Sequence, residues 1–330
     1  MPNEHSEFFK PSSGQPDCPT HETTQAAKSQ EIAWNISRSF FGNILTAHLP
    51  GMFVVNGRRG GYRAVSITGN HCELQCEHCK GVLLKSMSHA TDGASLRKIG
   101  LDAYARGDRG ILISGGCDAQ GRLPWRKFAS DIAYLKAATN LTITVHAGIV
   151  DSTAASLLKD AGVDQALVDV IGDDSTASQV YHLPFGVHAI RRSLENLCAA
   201  GIPVVPHILF GLHYGRVKGE KTALAMLGDY DIQTYVVVVL MPLSGAAMES
   251  VEPPDPEQAA HFLVEARLRY PKLRASLGCA RPRGRYRRRL DMLAIDAGVN
   301  SIALPSDAAL EYAAQRGLKV VFREWCCSLG

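Results

Sequence analysis

The sequence predicts an α/β protein organised as a (βα)8 barrel of the TIM type, and three observations carry that prediction. From Tyr62 onward, short β-rich apolar runs alternate with amphipathic helical stretches, the pattern of parallel strands joined by helical crossovers. Eight such units fit into about 250 residues, the usual span of a complete barrel. The unusual residues of the chain fall where these strands end, the face on which such barrels place their chemistry.

Taken in order, residues 1–29 are rich in Ser, Thr, Pro, Gln and charge with no periodicity, and read as a disordered tail that includes Cys18. Residues 30–61 read as a short N-terminal helical extension, with Ile32, Ile36, Phe40, Ile44 and Leu45 on one stripe that Pro50-Gly51 ends. Residues 62–330 form the barrel and a C-terminal cysteine tail. Its strands are expected at Ala64–Thr68, Gly110–Ser114, Leu141–His146, Ala166–Ile171, Val204–Phe210, Tyr235–Met241, Arg274–Leu277 and Ser301–Leu304. A further run, Lys319–Glu324, leads to Cys326-Cys327. No linker interrupts Tyr62 to Trp325, so one catalytic domain is the economical division.

Composition narrows the function. A chain of 330 residues with 46% apolar content can bury one large core, and a net charge of +3 gives no overall field for nucleic acid or membrane. The N-terminus has no basic segment followed by an apolar one, and no apolar run approaches a membrane span. Nine cysteines suit a reducing compartment, so a cytoplasmic location is expected.

The most informative motif follows the first strand. Cys72, Cys76 and Cys79 form a Cys-x3-Cys-x2-Cys triplet, and three thiolates on one tight loop can hold three corners of a 4Fe-4S cube while leaving the fourth iron open. The competing reading is a zinc knuckle, but a structural zinc site needs four closed ligands and the second pair is absent at the usual spacing. Ser114-Gly115-Gly116-Cys117 follows strand two, where glycines admit close backbone approach or simply make a βα turn. His146 and Asp169 end strands three and four. Asp169, if buried, needs a donor such as a ribose hydroxyl, and the alternative is a solvated strand-end acid. Asp173 and Asp174 are expected to cap the next helix.

The other cysteines divide. Cys198 lies at apolar spacing in a helical stretch and is expected in the core. Cys117, Cys279, Cys326 and Cys327 fall on loops or at the chain end, and four thiolates are the usual complement of a second iron-sulfur cluster; scattered buried cysteines are the alternative. The arginine run Arg281 to Arg289 reads as a solvated helix start or as a dock for an acidic protein.

With these segments assembled, the chain resembles the radical S-adenosylmethionine (SAM) superfamily. Val204-Val205-Pro206-His207, Leu240-Met241-Pro242-Leu243 and Leu277-Gly278-Cys279-Ala280-Arg281-Pro282 make it similar to biotin-synthase-like enzymes, most closely to one subunit of the two-protein, archaeal-type lipoyl synthase. The resemblance implies a radical SAM barrel whose open iron binds SAM, with His78 in place of the aromatic beside the adenine. It implies Ser114, Gly115, Gly116, His146 and Asp169 as cofactor-binding residues and an auxiliary 4Fe-4S cluster on Cys117, Cys279, Cys326 and Cys327. The implied activity is a sulfurtransferase inserting sulfur into a protein-bound octanoyl chain, with an octanoylated lipoyl-carrier protein, a second radical SAM subunit and an electron donor as partners. Another radical SAM reaction, such as methylation, rearrangement or cofactor maturation, and a non-catalytic iron-sulfur scaffold are the alternatives. The N-terminal three-cysteine motif of single-protein lipoyl synthases is missing, and the acid that relatives carry after Gly-Gly is replaced by Cys117.

Overall fold

A computed structural model describes residues 21–51, 54–55 and 58–329. Helix α1 (His21–Phe41) leads to strand β1 (Ile44–His48) and a small hairpin, β2 (Val54–Val55) with β3 (Arg58–Arg59). The repeating units begin with β4 (Tyr62–Ser66), short β5 (Ser88–His89) and α2 (Gly93–Ala105), then β6 (Gly110–Ser114) and α3 (Trp125–Ala138). Next come β7 (Thr142–His146), α4 (Ser152–Asp160), β8 (Gln165–Asp169), α5 (Asp174–Gln179) and α6 (Gly186–Ala199). Strand β9 (Val204–Phe210), α7 (Glu220–Met226), β10 (Thr234–Val239) and α8 (Pro256–Arg269) follow. The chain closes with β11 (Arg274–Leu277), α9 (Arg285–Asp296), β12 (Ser301–Ala303), α10 (Asp307–Gln315) and β13 (Lys319–Arg323).

The eight expected strands are β4 and β6 to β12, and they lie side by side in chain order within one parallel sheet. Asp173 caps α5, accepting from Thr176 N–H at 2.7 Å, and Cys198 packs half-buried against the main core. The helix starts follow the same logic elsewhere, with Asp92, Asp151 and Ser306 side chains accepting from free first-turn amides.

The expected α/β barrel class is the one observed, and three details differ from expectation. Among the described residues β12 pairs with β1 (Thr46 opposite Ser301, His48 opposite Ala303), β13 lies outside β1, and the sheet is a curled, eleven-stranded half-barrel. The chain after β1 meets the start of β4 through Gly51 N–H donating to Tyr62 O at 3.1 Å. Secondly, Ile44 and Leu45 continue no helix. Gly42 takes a left-handed conformation (φ +67°) that ends α1, and the next residues gain a ladder with both β12 and β13. Thirdly, α1 begins at His21, inside the stretch expected to be disordered, while residues 1–20, with Cys18, lie outside the described residues.

Side chains alternate across each strand. Ile111, Ile113, Ile143, Val145, Ala166 and Val168 face the helices and join the main core. The intervening residues point inward, so the inner rim at the strand ends carries Ser114, His146, Asp169 and His207. Lower in the interior, Tyr62, Leu167, Val205, Val236, Val238 and Ala303 pack against Cys326 and Cys327. The C-terminal segment thus fills the inside of the barrel, and Gln165 Nε2 donates to Ser328 O at 3.3 Å.

The loop after β11 is fixed from within. Arg281, expected in the surface arginine cluster, is fully buried: Nε donates to Asp291 Oδ1 at 2.8 Å, Nη1 to Gly278 O at 2.6 Å and Nη2 to Leu304 O at 3.2 Å. Asp291 also accepts from Ser306 N–H at 2.8 Å. Only the rest of the run begins α9. No described helix is long and apolar enough to cross a membrane. Replacing Arg281 by Met strands a buried carboxylate and should cost about 3–5 kcal/mol in denaturant unfolding, whereas Arg281→Met with Asp291→Leu should recover much of the loss.

Candidate functional site

The loop that carries the triplet has little regular structure and is shaped by its neighbours. On one side Gly116 N–H donates to Thr68 Oγ1 (2.7 Å), Thr68 O–H to His71 O (3.0 Å), Glu73 N–H to Cys117 O (2.7 Å) and Ala119 N–H to Glu73 Oε2 (2.9 Å). Inside the loop, Gln75 Nε2 donates to Cys72 O at 2.6 Å and Lys80 N–H to Cys76 O at 2.8 Å. A side-chain carbon on Gly116 would overlap His71 O and the Cβ of Cys72, and one on Gly115 would stand 2.9 Å from Thr68 Oγ1. The glycine pair therefore serves first to let the triplet loop lie against the strand-two loop.

Cys76, His78 and Cys79 offer ligand atoms within 4.8 Å of one another, and Cys72 lines the same cavity. Hydrogen bonding from the Cys76 thiol holds Cys79 down at about 4 against the effect of burial, while sharing that proton pushes Cys76 up. Thiolate is the form that binds metal, and Cys79 is the member of the pair held toward it. The donor set fits an iron-sulfur cube: three thiols converge on one mouth, and the buried His78 Nδ1 beside them has no hydrogen-bond partner.

The cavity has a volume of about 240 Å³. Cys72, Cys76, His78, Cys79, Ser114, Gly115, Gly116, His146 and Asp169 all line it, with Cys117 and Tyr181. Leu84, Met87, Ile149, Leu183 and Ile190 give it an apolar wall. His78 stacks on Tyr181 at 4.9 Å between ring centroids, and Tyr181 O–H donates to Asp169 Oδ2 at 2.8 Å. A flat surface, an ionised carboxylate and an apolar wall are what a nucleoside needs. A larger groove of about 660 Å³ between α1 and α8, lined by Gln25, Ser29, His261 and Leu268, offers no thiol and no such convergence of polar groups.

The floor of the cavity is electrostatically coupled. Burial alone would raise the Asp169 carboxyl, but His146, whose Nε2 is 3.4 Å from Oδ1, together with His207 and the Tyr181 hydroxyl, holds it well below the usual range. Burial opposes charge on His146, and Asp169 and Cys326 outweigh it and raise the imidazole. His207, whose ring lies 5.7 Å from that of His146, is pushed down to about 4 by burial and by the His146 charge, and its Nδ1 donates to Val205 O at 3.1 Å.

The four cysteines expected to share a second cluster are placed in two groups. Cys117 belongs to the cavity, where burial and then Cys72, Asp118, Asp169 and Cys79 push its thiol up to about 12. Cys279, Cys326 and Cys327 stand together inside the barrel. The Cys327 thiol, and Ser328 O–H at 3.2 Å, bring Cys326 down to about 6 despite burial, while burial and the Cys326 charge push Cys279 up to about 11. His146 lines the cavity, and the charge of Cys326 is among the influences that raise its imidazole. Tyr181 and His182 carry no signal in the sequence, whereas His207 stands in the Val204-Val205-Pro206-His207 segment at the end of strand five. The first two follow α5 in a segment without periodicity, and only the alternation along β9 marks His207 as inward.

Comparisons with solved structures place this geometry in context. Methylornithine synthase matches with a TM-score of 0.62 at 13% identity, covering 93% of this chain and 91% of that one. The FeFe-hydrogenase maturase HydG from Carboxydothermus hydrogenoformans matches with a TM-score of 0.64 at 15% identity, over 92% of this chain and 73% of that one. SuiB of Streptococcus suis, solved with its precursor peptide SuiA, matches with a TM-score of 0.50 at 10% identity, over 93% and 59%. The chain has the fold of methylornithine synthase and of the hydrogenase maturase. No protein-family description and no curated protein matches the sequence, so the likeness rests on structure.

Two outcomes are expected. Gly116→Ala, whose new carbon would fall 2.0 Å from His71 O and 2.4 Å from Cys72 Cβ, should displace Cys72 and lower the iron content of reconstituted protein, whereas Gly115→Ala, with its nearest neighbour at 2.9 Å, should lose much less. The Asp169–His146 pair should stabilise the fold fully only between the ordinary Asp value of 3.8 and the ordinary His value of 6.5. Its contribution should fade as pH rises through the raised His146 value and as pH falls through the depressed Asp169 value. Unfolding free energy against pH should show both limbs, and Asp169→Asn should flatten them.

Proposed function

We propose that the chain is a radical SAM sulfurtransferase that inserts sulfur into a protein-bound octanoyl chain, acting as one component of a two-protein lipoyl synthase. The observation that carries this reading is the presence of two thiol centres in one barrel: Cys72, Cys76 and Cys79 around the cavity, and Cys279, Cys326 and Cys327 packed in the interior with Leu167 and Val205. When bound, the first cluster and SAM would supply an electron and a 5'-deoxyadenosyl radical able to take hydrogen from an unactivated carbon. The chain's residues do the rest. His78 and Tyr181 offer the adenine a stacked surface, Asp169 an ionised acceptor for ribose hydroxyls, and the Leu84, Met87, Ile149 and Leu183 wall excludes water.

An auxiliary cluster would be held by Cys279, Cys326 and Cys327, and Cys117 would stay with the cavity. A substrate carried on a protein finds a parallel in SuiB, solved with its precursor peptide. The implied partners are an octanoylated lipoyl-carrier protein, a second radical SAM subunit and an electron donor. A different radical SAM reaction is the second reading, favoured by the fold likeness to methylornithine synthase and the hydrogenase maturase.

Anaerobic turnover of an octanoylated carrier, followed by mass spectrometry, separates these. Wild-type protein should yield 5'-deoxyadenosine and a sulfur-bearing carrier, and should hold about eight irons, two cubes of four. Cys279→Ala should still release 5'-deoxyadenosine but add no sulfur, while Cys117→Ala should keep its iron. 5'-Deoxyadenosine without sulfur in any wild-type product supports the second reading, and its absence reduces the protein to a scaffold.

A further inference from the structure

We propose that Val180-Tyr181-His182 is a latch on the triplet loop and that His182 is its positioning residue, setting the geometry in which Cys72, Cys76 and Cys79 hold their metal. The inference rests on reading the triplet as cluster ligands. It begins from the distribution of backbone strain. Among the described residues, five non-glycine positions have positive φ: Gln75 (+46°), Lys80 (+42°), His182 (+56°), Tyr214 (+51°) and Leu304 (+52°). Three of the five lie in the triplet loop or the segment that touches it. Such conformations persist only where surrounding contacts over-determine them.

Those contacts converge on one side chain. His182 Nδ1 donates to Leu74 O at 2.6 Å, and its Nε2 stands 3.0 Å from Glu77 Oε1. Leu74 lies between Cys72 and Cys76, and Glu77 between Cys76 and Cys79, so one rigid ring spans both intervals of the triplet. Glu77 is tied in turn to Lys80 Nζ at 2.8 Å, at the strained residue just after Cys79. The backbone completes the latch: Glu77 N–H donates to Val180 O at 2.8 Å, and the Cys76 sulfur lies 3.7 Å from Tyr181 O. The Tyr181 ring, stacked on His78 and bonded to Asp169, anchors the segment to the cavity floor. Groups that orient ligands from behind govern metal affinity, and contacts to cluster sulfurs help to set potential.

Three substitutions separate a side-chain latch from a backbone requirement. His182→Gly relieves the positive φ but removes both contacts. His182→Ala removes the contacts and keeps the strain. His182→Asn tolerates the left-handed conformation and retains one donor. The readouts on reconstituted full-length protein are iron content, the midpoint potential of the loop cluster and the change in its EPR spectrum on adding SAM. Reductive SAM cleavage is followed beside them.

Gly and Ala variants should be alike, with a shifted potential, an altered SAM-dependent spectrum and cleavage slowed about tenfold or more, and Asn should recover part of each. A Gly variant that matches wild type in potential and spectrum overturns the latch. Should the His182 variants fail to fold by circular dichroism, Glu77→Gln decides: the same shift in smaller measure supports the latch, and an unchanged potential and spectrum reject it. Wild-type protein that assembles no cluster on the triplet would instead end the reading beneath it, a result distinct from any behaviour of the variants.

Discussion

The triplet loop can hold no shape by itself, and the rest of the site depends on its being fastened from two sides. Between Gly69 and Gly81 the backbone makes only short turns, and its conformation is imposed by the strand-two loop and by the segment after α5. The first fastening works through Thr68, Glu73 and the absence of a side chain at Gly116. The second works through His182 and the Val180 carbonyl. Because the first comes from the loop after β6 and the second from the segment between α5 and α6, the spacing of the thiols depends on how these elements pack around the sheet. An error in packing several strands away would reach them.

A second constraint is the burial of charge inside the barrel. An ionised carboxylate, an imidazole and a low-pKa thiol share an interior otherwise lined by Val, Leu, Tyr and Ala. None would tolerate that environment alone. Asp169 is held low because His146, His207 and Tyr181 favour its charge, His207 is lowered by burial and then by His146, and Cys326 is lowered because Cys327 and Ser328 donate to it. The C-terminal segment is therefore part of the electrostatic design of the site. It fills space that larger inward side chains would occupy in an ordinary barrel, and brings two thiols into it.

Much of this was legible in the chain itself. The alternation of apolar runs and amphipathic stretches gives eight parallel strands in order, since each pattern has one way to bury its apolar face. The triplet spacing brings three thiols onto one loop, because Cys72 to Cys79 span only eight residues. His146 and Asp169 were readable as inward polar residues at strand ends, where a barrel presents its chemistry.

What the sequence could not decide were relations between segments far apart in it. Whether the eighth strand meets the first or an added N-terminal strand depends on competition for the same backbone donors, and β1 prevails through ladders on both of its edges. Arg281 belongs by composition to a surface cluster and by packing to a buried pair with Asp291. Cys117 and Cys279 both follow barrel strands, yet one faces the cavity and the other the C-terminal segment, a division set by which neighbours fill the space beside each. Residue types and their periods determined the fold, the triplet and the inward rim of the barrel. Only three-dimensional packing decided which thiols meet, which histidine carries charge and which distant side chain holds the loop, because those outcomes depend on distances and burial that no local pattern encodes.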